Sequence, residues 1–594
     1  MAKPTNQDIA NTFVEIAQRL SLQRANRFRV IAYERAAEVI AALPTACCAI
    51  AAEGGLRALR ELPGIGEELA LKLLELCKRG RLQFLVDLRK EVPRGLTDVL
   101  AIEGMGPMKT QFVWKEFDVE NIRDLKRLLA SGKLEEVPGW GAKSVENLLY
   151  AIAMLERSSG RMPIGQALPL AERIVETLRH SALCTEVEIA GSLRRRRETI
   201  GDLDILVTTE HPTRVMELFC ALPDVRRVIA RGTTKANVLL HQGIEADLRV
   251  LDPEVFGAGL HYFTGSKAHN IATRKIAIVK GLTISEYGVY RGTKAEKGRR
   301  VACRTEVDVF RAIGLPYIPP EIREDSGELS AARARTLPKL IEAEHLRGDL
   351  HMHSAFSDGS ARMVEMIAAA KRAGYEYVAI TDHASTQGIV GGIRTRSAPM
   401  ASSRRTGGSI AAYVKQVRAA ARKVRGIHVL VGAEVDILPD GSLYLSDGEL
   451  RLLDWVVASL HSSFRQPGAK QTARVVRALA HPAVTCFGHP TGRLIGRRDG
   501  VTFDWEAVMG AARQYGVSLE VSASWMRLDL DDIHCRQAHD RGVKVCINSD
   551  AHSADALDPR FGIAQARRGW IERSDVINAL PWKQFQKRIL KRSV

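Results

Sequence analysis

The stretch Gly191-Ser192-Leu193-Arg194-Arg195-Arg196-Arg197-Glu198-Thr199-Ile200-Gly201-Asp202-Leu203-Asp204-Ile205 decides how the N-terminal half of this 594-residue chain is interpreted. Asp202 and Asp204 are two residues apart, so on a β-strand their side chains point to the same face. Asp247 lies in a second strand-like run and adds a third carboxylate. Converging ionised carboxylates can hold a pair of Mg²⁺ ions, and such pairs serve in-line phosphoryl displacements. The alternative is that these aspartates are solvated residues at a strand end. The Gly-Ser pair and the arginine run argue against it, because both suit binding of a triphosphate.

A second series of possible metal ligands lies in the C-terminal half, where eleven of the 16 histidines fall between His345 and His552. Most of these ligands follow short strand-like runs, and helical segments separate the runs. This is the pattern of a β/α barrel with its site at the carboxyl ends of the strands. Imidazoles and carboxylates together suit Zn²⁺ or Mn²⁺. The nine candidate ligands are His351, His353, Asp358, His383, Glu434, His461, His489, Asp550 and His552.

Three glycine hairpins punctuate the helical region that ends near residue 155. They read Leu62-Pro63-Gly64-Ile65-Gly66, Ile102-Glu103-Gly104-Met105-Gly106 and Val137-Pro138-Gly139-Trp140-Gly141. Backbone N–H groups at the start of a helix can bind a phosphate without reading base sequence. A tight structural turn is the alternative, but the repetition favours contact with a nucleic-acid backbone. Glu103 stands where an apolar residue or proline would fit better. The predicted DNA contacts are Gly64, Gly66, Gly104, Gly106, Gly139 and Gly141.

Bulk properties limit the class of protein. The net charge of +17 favours a polyanionic partner, most simply nucleic acid, although a solvated basic surface would also account for it. Nine cysteines without a C-x-x-C pair indicate reduced thiols, as in a cytoplasmic protein. The chain begins without an apolar signal-peptide core, and its uncharged stretches are too short to cross a bilayer. We therefore expect several domains and no membrane association.

Residues 1 to about 315 resemble a family X DNA polymerase of the DNA polymerase beta type. The Gly-Ser…Gly-Asp-x-Asp motif matches, and so does Tyr262-Phe263-Thr264-Gly265-Ser266 with Asn270 and Arg274 downstream. The resemblance implies that Asp202, Asp204 and Asp247 bind two catalytic Mg²⁺ ions. It also implies that Ser192, Arg195 and Gly201 contact the phosphates of a dNTP, that Tyr262, Phe263, Gly265 and Asn270 line the sugar and base pocket, and that Arg274 approaches the template strand. Ile200 departs from the family's frequent serine.

The segment Asn26-Arg27-Phe28-Arg29 resembles the small lyase domain of these polymerases, and Lys72 aligns with the lysine that forms a Schiff base. Lys72 is therefore a candidate catalytic residue. A lysine can act this way only as a free amine, and the nearby Glu67 and Glu68 oppose loss of its proton. Contact between Lys72 and a DNA phosphate is the favoured interpretation.

The segment from about 345 to 580 resembles a PHP (polymerase and histidinol phosphatase) domain, a distorted β/α barrel. The resemblance implies up to three Mn²⁺ or Zn²⁺ ions. The first would take His351, His353, Glu434 and Asp550, the second would share Glu434 and add His461 and His489, and the third would take Asp358, His383 and His552. Arg493 and Arg497, close after His489, would contact a substrate phosphate or be solvated.

The whole chain is similar to the bacterial and archaeal family X polymerases that carry a fused PHP domain, a multidomain protein of α and α/β class. The resemblance implies a monomer that fills short gaps in gapped or nicked duplex DNA, with 3′→5′ exonuclease or 3′-end cleaning by the PHP domain and cleavage at abasic sites. Two rival hypotheses are a small-molecule PHP phosphatase tethered to a DNA-binding module, and a catalytically weak DNA-repair scaffold. The predicted domains are a helical lyase-like domain (1–85), a fingers-like helical domain (86–160), a nucleotidyltransferase palm (161–250), a thumb (251–316), a linker (317–345) and a PHP domain (346–580).

Overall fold

The computed structural model describes residues 4, 6–41, 46–62, 64–102, 104–158, 161–292, 298–385, 392–395 and 407–590. The chain forms two compact units, one of residues 1–159 with 496–498 and the other of residues 160–495 with 499–594. Among the described residues, no helix has both the length and the apolar character needed to cross a membrane.

The first unit is built from amphipathic helices. Ile9, Phe13 and Ile16 recur at helical spacing in the first helix and are fully buried. The apolar side chains form two main clusters, one within residues 9–88 and one within residues 99–152. The helices are α1 (Asn6–Leu22), α2 (Arg27–Ala41), α3 (Cys47–Arg60), α4 (Glu67–Arg79), α5 (Gln83–Glu91), α6 (Gly95–Leu100), α7 (Pro107–Phe117), α8 (Ile122–Ala130) and α9 (Ala142–Ser158).

The palm region of the second unit is a five-stranded sheet in the order β2-β4-β7-β6-β5, covered by two helices. The neighbours β4 and β7 are parallel, whereas the other pairs are antiparallel. Alternating burial along β6 and β7 places one face of the sheet in the core. The elements are β1 (Met162–Pro163), α10 (Ile164–His180), β2 (Glu186–Ile189), α11 (Gly191–Arg194), β3 (Thr199–Ile200), β4 (Asp202–Thr208), α12 (Pro212–Cys220), β5 (Val225–Arg231), β6 (Lys235–Leu240) and β7 (Glu245–Val250).

The thumb region consists of helices and a small antiparallel sheet in the order β10-β9-β8. The segment predicted to be a linker is not a free spacer, because Ile318, Ile322 and Leu329 pack into the thumb core. Their burial offsets the entropy cost of ordering the segment. The elements are α13 (Phe256–Thr264), α14 (Lys267–Val279), β8 (Leu282–Ser285), β9 (Gly288–Arg291), β10 (Arg300–Ala302), α15 (Glu306–Ala312) and α16 (Glu328–Ala334).

The C-terminal region is a parallel β/α barrel, with strands in the order β11-β12-β16-β17-β18-β19-β20 and β13 paired to β16. A parallel bridge between Met352 and Ala551 brings its first and last parts together. The elements are β11 (Gly348–Asp349), α17 (Met363–Arg372), β12 (Tyr377–Ile380), β13 (His383–Ala384), β14 (Gly392–Arg394), β15 (Gly407–Ser409), α18 (Ile410–Lys423), β16 (His428–Asp436), α19 (Asp447–Leu450), β17 (Trp455–Ser459), α20 (Gly468–Leu479), β18 (Cys486–Phe487), α21 (Trp505–Tyr515), β19 (Ser518–Ser522), α22 (Asp532–Arg541), β20 (Val545–Asn548), α23 (Arg560–Arg568) and α24 (Trp582–Arg588).

The end of the barrel at the amino termini of the strands is filled by the last helix, α24. Phe585 is fully buried and stacks on Tyr377 at the start of β12, with ring centroids 4.5 Å apart. Trp582 stacks on His428 at the start of β16, at 4.2 Å. This helix lies beyond the bound of 580 predicted for the domain, because its short apolar pattern has no strand-like run or ligand to mark it.

The palm and the barrel share a core. Leu528 and Phe561, both from the barrel region, belong to the apolar cluster of the palm. At Gly165 of α10, a Cβ atom would lie within 2.6 Å of three atoms of the Trp525 side chain. The absence of a side chain at Gly165 therefore allows the palm helix to lie directly against the barrel loop that carries Trp525.

Candidate active sites and nucleic-acid interface

Three carboxylates converge at the start of two parallel palm strands. Asp202 and Asp204 lie in β4, and Asp204 is directly opposite Asp247 of β7. Burial and the negative charges of Asp202 and Asp247 together raise the pKa of Asp204 to about 7. A divalent cation would remove this repulsion, so the three residues fit a metal site. Gly191, with φ of +61°, is required beside it because a Cβ there would lie 2.2 Å from Asp204 Oδ2.

Side chains predicted to form the nucleotide pocket lie together next to these strands. Asn270 Nδ2 donates a hydrogen bond to the carbonyl of Tyr262 at 2.7 Å. The Arg274 guanidinium lies 5.2 Å from the centroid of the Tyr262 ring. Arg249 of β7 lies over the Phe263 ring at 4.5 Å, and its Nη2 is 3.6 Å from Asp247 Oδ2. The aromatic pair is thereby linked to the carboxylates.

The residues predicted to contact phosphate have different surroundings. Ser192 lies within α11. A Cβ at Gly201 would lie 3.1 Å from Nη1 of Arg161. The guanidinium of Arg195 is occupied by protein acceptors, since Nε donates to Glu324 at 3.1 Å and Nη1 donates to the carbonyl of Thr264. Arg161 also donates to Thr199. Its position beside Gly201 was not predicted, because it precedes the Gly-Ser…Gly-Asp-x-Asp motif.

The other eight predicted barrel ligands lie around Glu434, which is 1% exposed. Glu434 Oε1 is 2.8 Å from His489 Nε2 and 3.1 Å from His461 Nε2, and Oε2 is 2.8 Å from His383 Nδ1. Several of these residues belong to more than one group of neighbouring ligand atoms, so the division among three ions stays a prediction. The sets whose ligand atoms all lie within 4.8 Å are His353, Asp358, His383, His552; His351, His353, Asp550; His351, Glu434, His489; and His383, Glu434, His461.

Several nitrogen and oxygen atoms at this centre are buried and, among the described residues, make no hydrogen bond of good geometry. They are His351 Nε2, both ring nitrogens of His353, both carboxylate oxygens of Glu434, and His489 Nδ1. Buried polar atoms without a partner are costly unless something else satisfies them. A cluster of bare imidazole and carboxylate atoms suits a transition-metal ion, so the residues present fit the metal centre that the sequence predicts.

The imidazoles differ in charge because their neighbours differ. Burial and the nearby His383 and His552 together lower the pKa of His353 to about 3. Burial also acts to lower the pKa of His351, but the charges of Glu520, Glu434 and Asp550 hold it well above its usual value. Since imidazole binds metal only as the neutral ring, metal binding at His351 would release a proton.

Two buried carboxylates, Glu520 and Asp436, support ligands from behind, a third, Asp382, lies beside His383, and none of the three was predicted from the sequence. Glu520 accepts a hydrogen bond from His351 Nδ1 at 2.7 Å and another from the backbone N–H of His489 at 2.6 Å. Asp436 lies 2.7 Å from His461 Nδ1, and Asp382 accepts bonds from Ser354 and Ser357. Such partners fix the ring orientation of a ligand. A charged residue inside the fully buried strand β19 was the available sign of Glu520.

The three glycine hairpins share one geometry. In each, the N–H of the residue between the glycines donates to the carbonyl of the first apolar residue, as Ile65 does to Leu62 at 3.1 Å. That middle residue is buried, whereas both glycines are exposed. The first glycine has φ between +73° and +92° in all three, and a Cβ at Gly66, Gly106 or Gly141 would meet nothing within 4 Å. The helix starts are therefore open to an approaching phosphate. Glu103 lies outside the described residues.

The side chain of Lys72 is largely covered by its neighbours and is 13% exposed. Its ammonium group pairs with Glu68 and lies 4.7 Å from the centroid of the Phe84 ring and 5.5 Å from that of Tyr33. The nitrogen of Lys72 is therefore already engaged by a carboxylate and two aromatic rings.

Known families match the same regions. The DNA polymerase beta thumb model matches residues 259–324, the PHP domain model matches residues 349–493, and a helix-hairpin-helix domain model matches residues 4–82. The chain is 37% identical over 588 residues to the "DNA polymerase/3'-5' exonuclease PolX" of Bacillus subtilis (strain 168), and the match covers 98% of both chains. The chain belongs to the family X DNA polymerases with a PHP domain. This confirms the resemblance and the fold class that the sequence predicted.

Two more distant relatives match parts of this PHP-containing family X chain. DNA polymerase lambda of Rattus norvegicus is 23% identical over 358 residues, which is 54% of this chain and 58% of the relative. A Thermoanaerobacter protein named "Probable phosphatase" is 31% identical over 150 residues, which is 24% of this chain and 59% of the relative. Both the polymerase and the PHP families depend on metal ions, and the barrel of this member carries matching histidine and carboxylate clusters.

Proposed function

We propose that this protein is a DNA polymerase that fills short gaps in damaged DNA and removes nucleotides from 3′ ends with its PHP domain. The observation that carries the polymerase activity is the position of Asp204 opposite Asp247, with Asp202 on the same strand, beside the pocket of Tyr262 and Phe263. The PHP activity rests on the nine ligands around Glu434.

In the palm, the chain's own residues bind and orient the nucleotide. Asn270 fixes the backbone at Tyr262, so the aromatic wall is in place before a sugar and base arrive. Arg249, between Phe263 and Asp247, holds the pocket against the carboxylates. When bound, Mg²⁺ ions held by Asp202, Asp204 and Asp247 would stabilise the charge on the transferred phosphoryl group.

In the barrel, buried carboxylates hold the ligand rings in fixed orientations. Glu520 keeps the Nε2 atom of His351 directed at Glu434, and Asp436 does the same for His461. Mn²⁺ or Zn²⁺ ions, up to three, would polarise the phosphodiester and activate water there. With the ligands buried and the rings fixed, the site needs little rearrangement when substrate binds. The fused architecture also favours abasic-site cleavage by this domain.

The substrate we propose is gapped or nicked duplex DNA together with dNTPs. Three hairpins with open helix starts can bind successive backbone phosphates in a sequence-independent way, and the net charge of +17 adds long-range attraction. The pairing of Lys72 with Glu68 makes this residue a candidate phosphate contact and not a nucleophile.

The decisive experiment is an extension and digestion assay on DNA with a one-nucleotide gap and a labelled primer. With dNTPs and Mg²⁺ the primer should gain one nucleotide, and without dNTPs in Mn²⁺ it should shorten from its 3′ end. A chain that hydrolyses small phosphomonoesters and leaves DNA unchanged would support the tethered-phosphatase hypothesis. DNA binding with neither reaction would support the scaffold hypothesis.

Organisation and setting are part of the same proposal. We propose the domain bounds given by the sequence, with the PHP domain extended through α24, and a monomeric protein of the cytoplasm. The nine cysteines form no disulfide in the described part of the chain, which fits a reducing compartment. Light scattering at working concentration, with and without gapped DNA, tests the monomer against a mass of 65.4 kDa.

A further inference from the structure

The loop that follows α11 in the palm is held from outside the polymerase domains. Arg568, the last residue of barrel helix α23, is only 6% exposed. Its Nη1 donates to the backbone carbonyl of Arg195 at 2.8 Å and to Glu324 Oε1 at 3.1 Å. Its Nη2 pairs with Asp532 of α22. The guanidinium of Arg568 is therefore held by Asp532 in the barrel and, on its other side, by Glu324 and the carbonyl of Arg195 in the palm loop.

Glu324 is shared between the two domains. The same oxygen, Oε1, accepts from Arg568 of the barrel and from Nε of Arg195 in the palm, each at 3.1 Å. Glu324 lies in the segment predicted to be a linker, next to Arg323, which is fully buried. One carboxylate thus fixes two guanidinium groups, and charge-assisted hydrogen bonds of this kind are the strong ones.

The far end of the same loop has a second attachment to the barrel. Arg493 donates to Glu198 at 2.8 Å and also binds the carbonyls of Arg527 and Leu528 in its own domain. The role expected for Arg493, a phosphate contact or a solvated surface charge, is not what the structure places there. Both attachments therefore lie between Ser192, predicted to contact phosphate, and the carboxylates that begin at Asp202, four residues after Glu198.

The polymerase pocket depends on where this loop stands. The side chain of Arg195 donates to the carbonyl of Thr264 and lies 3.2 Å from the position of a Cβ at Gly265. Thr264 and Gly265 end helix α13, which carries Tyr262 and Phe263. A shift of Arg195 would therefore move the phosphate-contacting loop relative to the sugar and base pocket.

We propose that Arg568 of the PHP domain is a positioning residue for nucleotide binding in the palm. It acts through Glu324 and Arg195 and never touches the nucleotide. The polymerase site is then completed by the nuclease domain, which supplies a fixed support for the triphosphate-binding loop. This inference rests on the proposed polymerase function.

The test compares single-nucleotide incorporation by the full-length wild-type chain, Arg568→Ala and Arg568→Lys. Removing the guanidinium should raise KM for the dNTP about tenfold, the size expected for a lost charge-assisted hydrogen bond, while kcat changes less than about threefold. Lysine keeps the charge but not the planar fork, so it should restore part of the affinity. Glu324→Gln should raise KM similarly, and its effect should not add to that of Arg568→Ala because both break one network.

The matched control is Arg560→Ala. Arg560 lies in the same helix and pairs with Glu172 of palm helix α10 at 3.4 Å and with Asp558 of its own domain at 2.5 Å. It loses the same charge at the same domain boundary, so KM should stay within about twofold of wild type. Thermal melting and 3′→5′ digestion of single-stranded DNA by each variant report on folding and on the barrel site.

A higher dNTP KM in Arg568→Ala with normal digestion and melting supports the inference. An unchanged KM overturns it, and so does an equal rise in Arg560→Ala. Parallel loss of incorporation and digestion with a lowered melting temperature also overturns it, since Arg568 would then serve folding alone. If the wild-type chain incorporates no nucleotide, the proposed function itself is wrong.

Discussion

The two metal-attracting centres of this chain differ in how much of each site the protein builds by itself. In the palm, Asp202 is exposed, and Lys235, Asn237 and Arg249 contact Asp247. In the barrel, the ligands His351 and His353 are fully buried, and Glu520 holds the orientation of the His351 ring. We infer that substrate phosphates complete the cation site of the palm, whereas the barrel ligands are oriented by the protein before substrate binds.

The strongest way to break this comparison is to remove one centre and measure both activities. Asp202→Ala with Asp204→Ala should lower nucleotide incorporation by roughly a thousandfold or more, because the transition state loses several kcal/mol of charge stabilisation. Digestion of a 3′ end should continue at the wild-type rate. Incorporation that persists in this double variant would show that the palm site is misassigned.

The reciprocal change is His351→Ala with His353→Ala. Both rings contribute to the clusters around Glu434, so 3′→5′ digestion should fall by roughly a hundredfold or more while gap filling persists. The measurement is release of labelled nucleotides from single-stranded DNA in Mn²⁺. Equal loss of both activities, with an unchanged melting temperature, would mean that the two reactions share one site.

A subtler pair of variants tests whether the barrel is more organised than the palm. Glu520→Gln leaves every ligand in place but weakens the bond that orients His351, so metal affinity measured by digestion against Mn²⁺ concentration should fall about 10- to 100-fold. Asn237→Ala removes the amide that donates to Asp247 at 2.6 Å. Its effect on the Mg²⁺ requirement of gap filling should be below about fivefold, since that site is more open to solvent. Equal effects would end the distinction.

The smallest expected effect concerns Lys72. Replacement by alanine should leave borohydride trapping on abasic DNA at the background level of wild type, because the nitrogen is already engaged by Glu68. Affinity for gapped DNA should fall about twofold to fivefold, as expected for one phosphate contact. Strong trapping by wild type that Lys72→Ala abolishes would assign lyase chemistry to this residue.

The sequence predicted most of what depends on local spacing. Asp202 and Asp204 share a face because they alternate along one strand, and the barrel ligands follow strand-like runs whose carboxyl ends meet at one edge. The glycine hairpins were visible for the same reason, since five consecutive residues define each turn. Family membership followed from these motifs together.

What the sequence did not reveal depends on side chains far apart along the chain. Glu520 supports His351 across 169 residues and Arg568 reaches the Arg195 loop across 373, and no periodicity records such distances. The packing of apolar residues of the segment 317–345 into the thumb core was not predicted, because the prolines and charges of this segment are typical of exposed linkers.

Helix α24 limits how substrate enters and product leaves the barrel. Its aromatic residues fill the barrel at the amino ends of the strands. The ligands are therefore reached through the opening at the carboxyl ends of the strands, the mouth of the barrel. A polynucleotide cannot thread through a barrel closed at one end, so a DNA strand must reach the ligands from the mouth. The released mononucleotide must leave by the route along which the next terminus enters, and each round of trimming therefore has to clear the mouth before another begins.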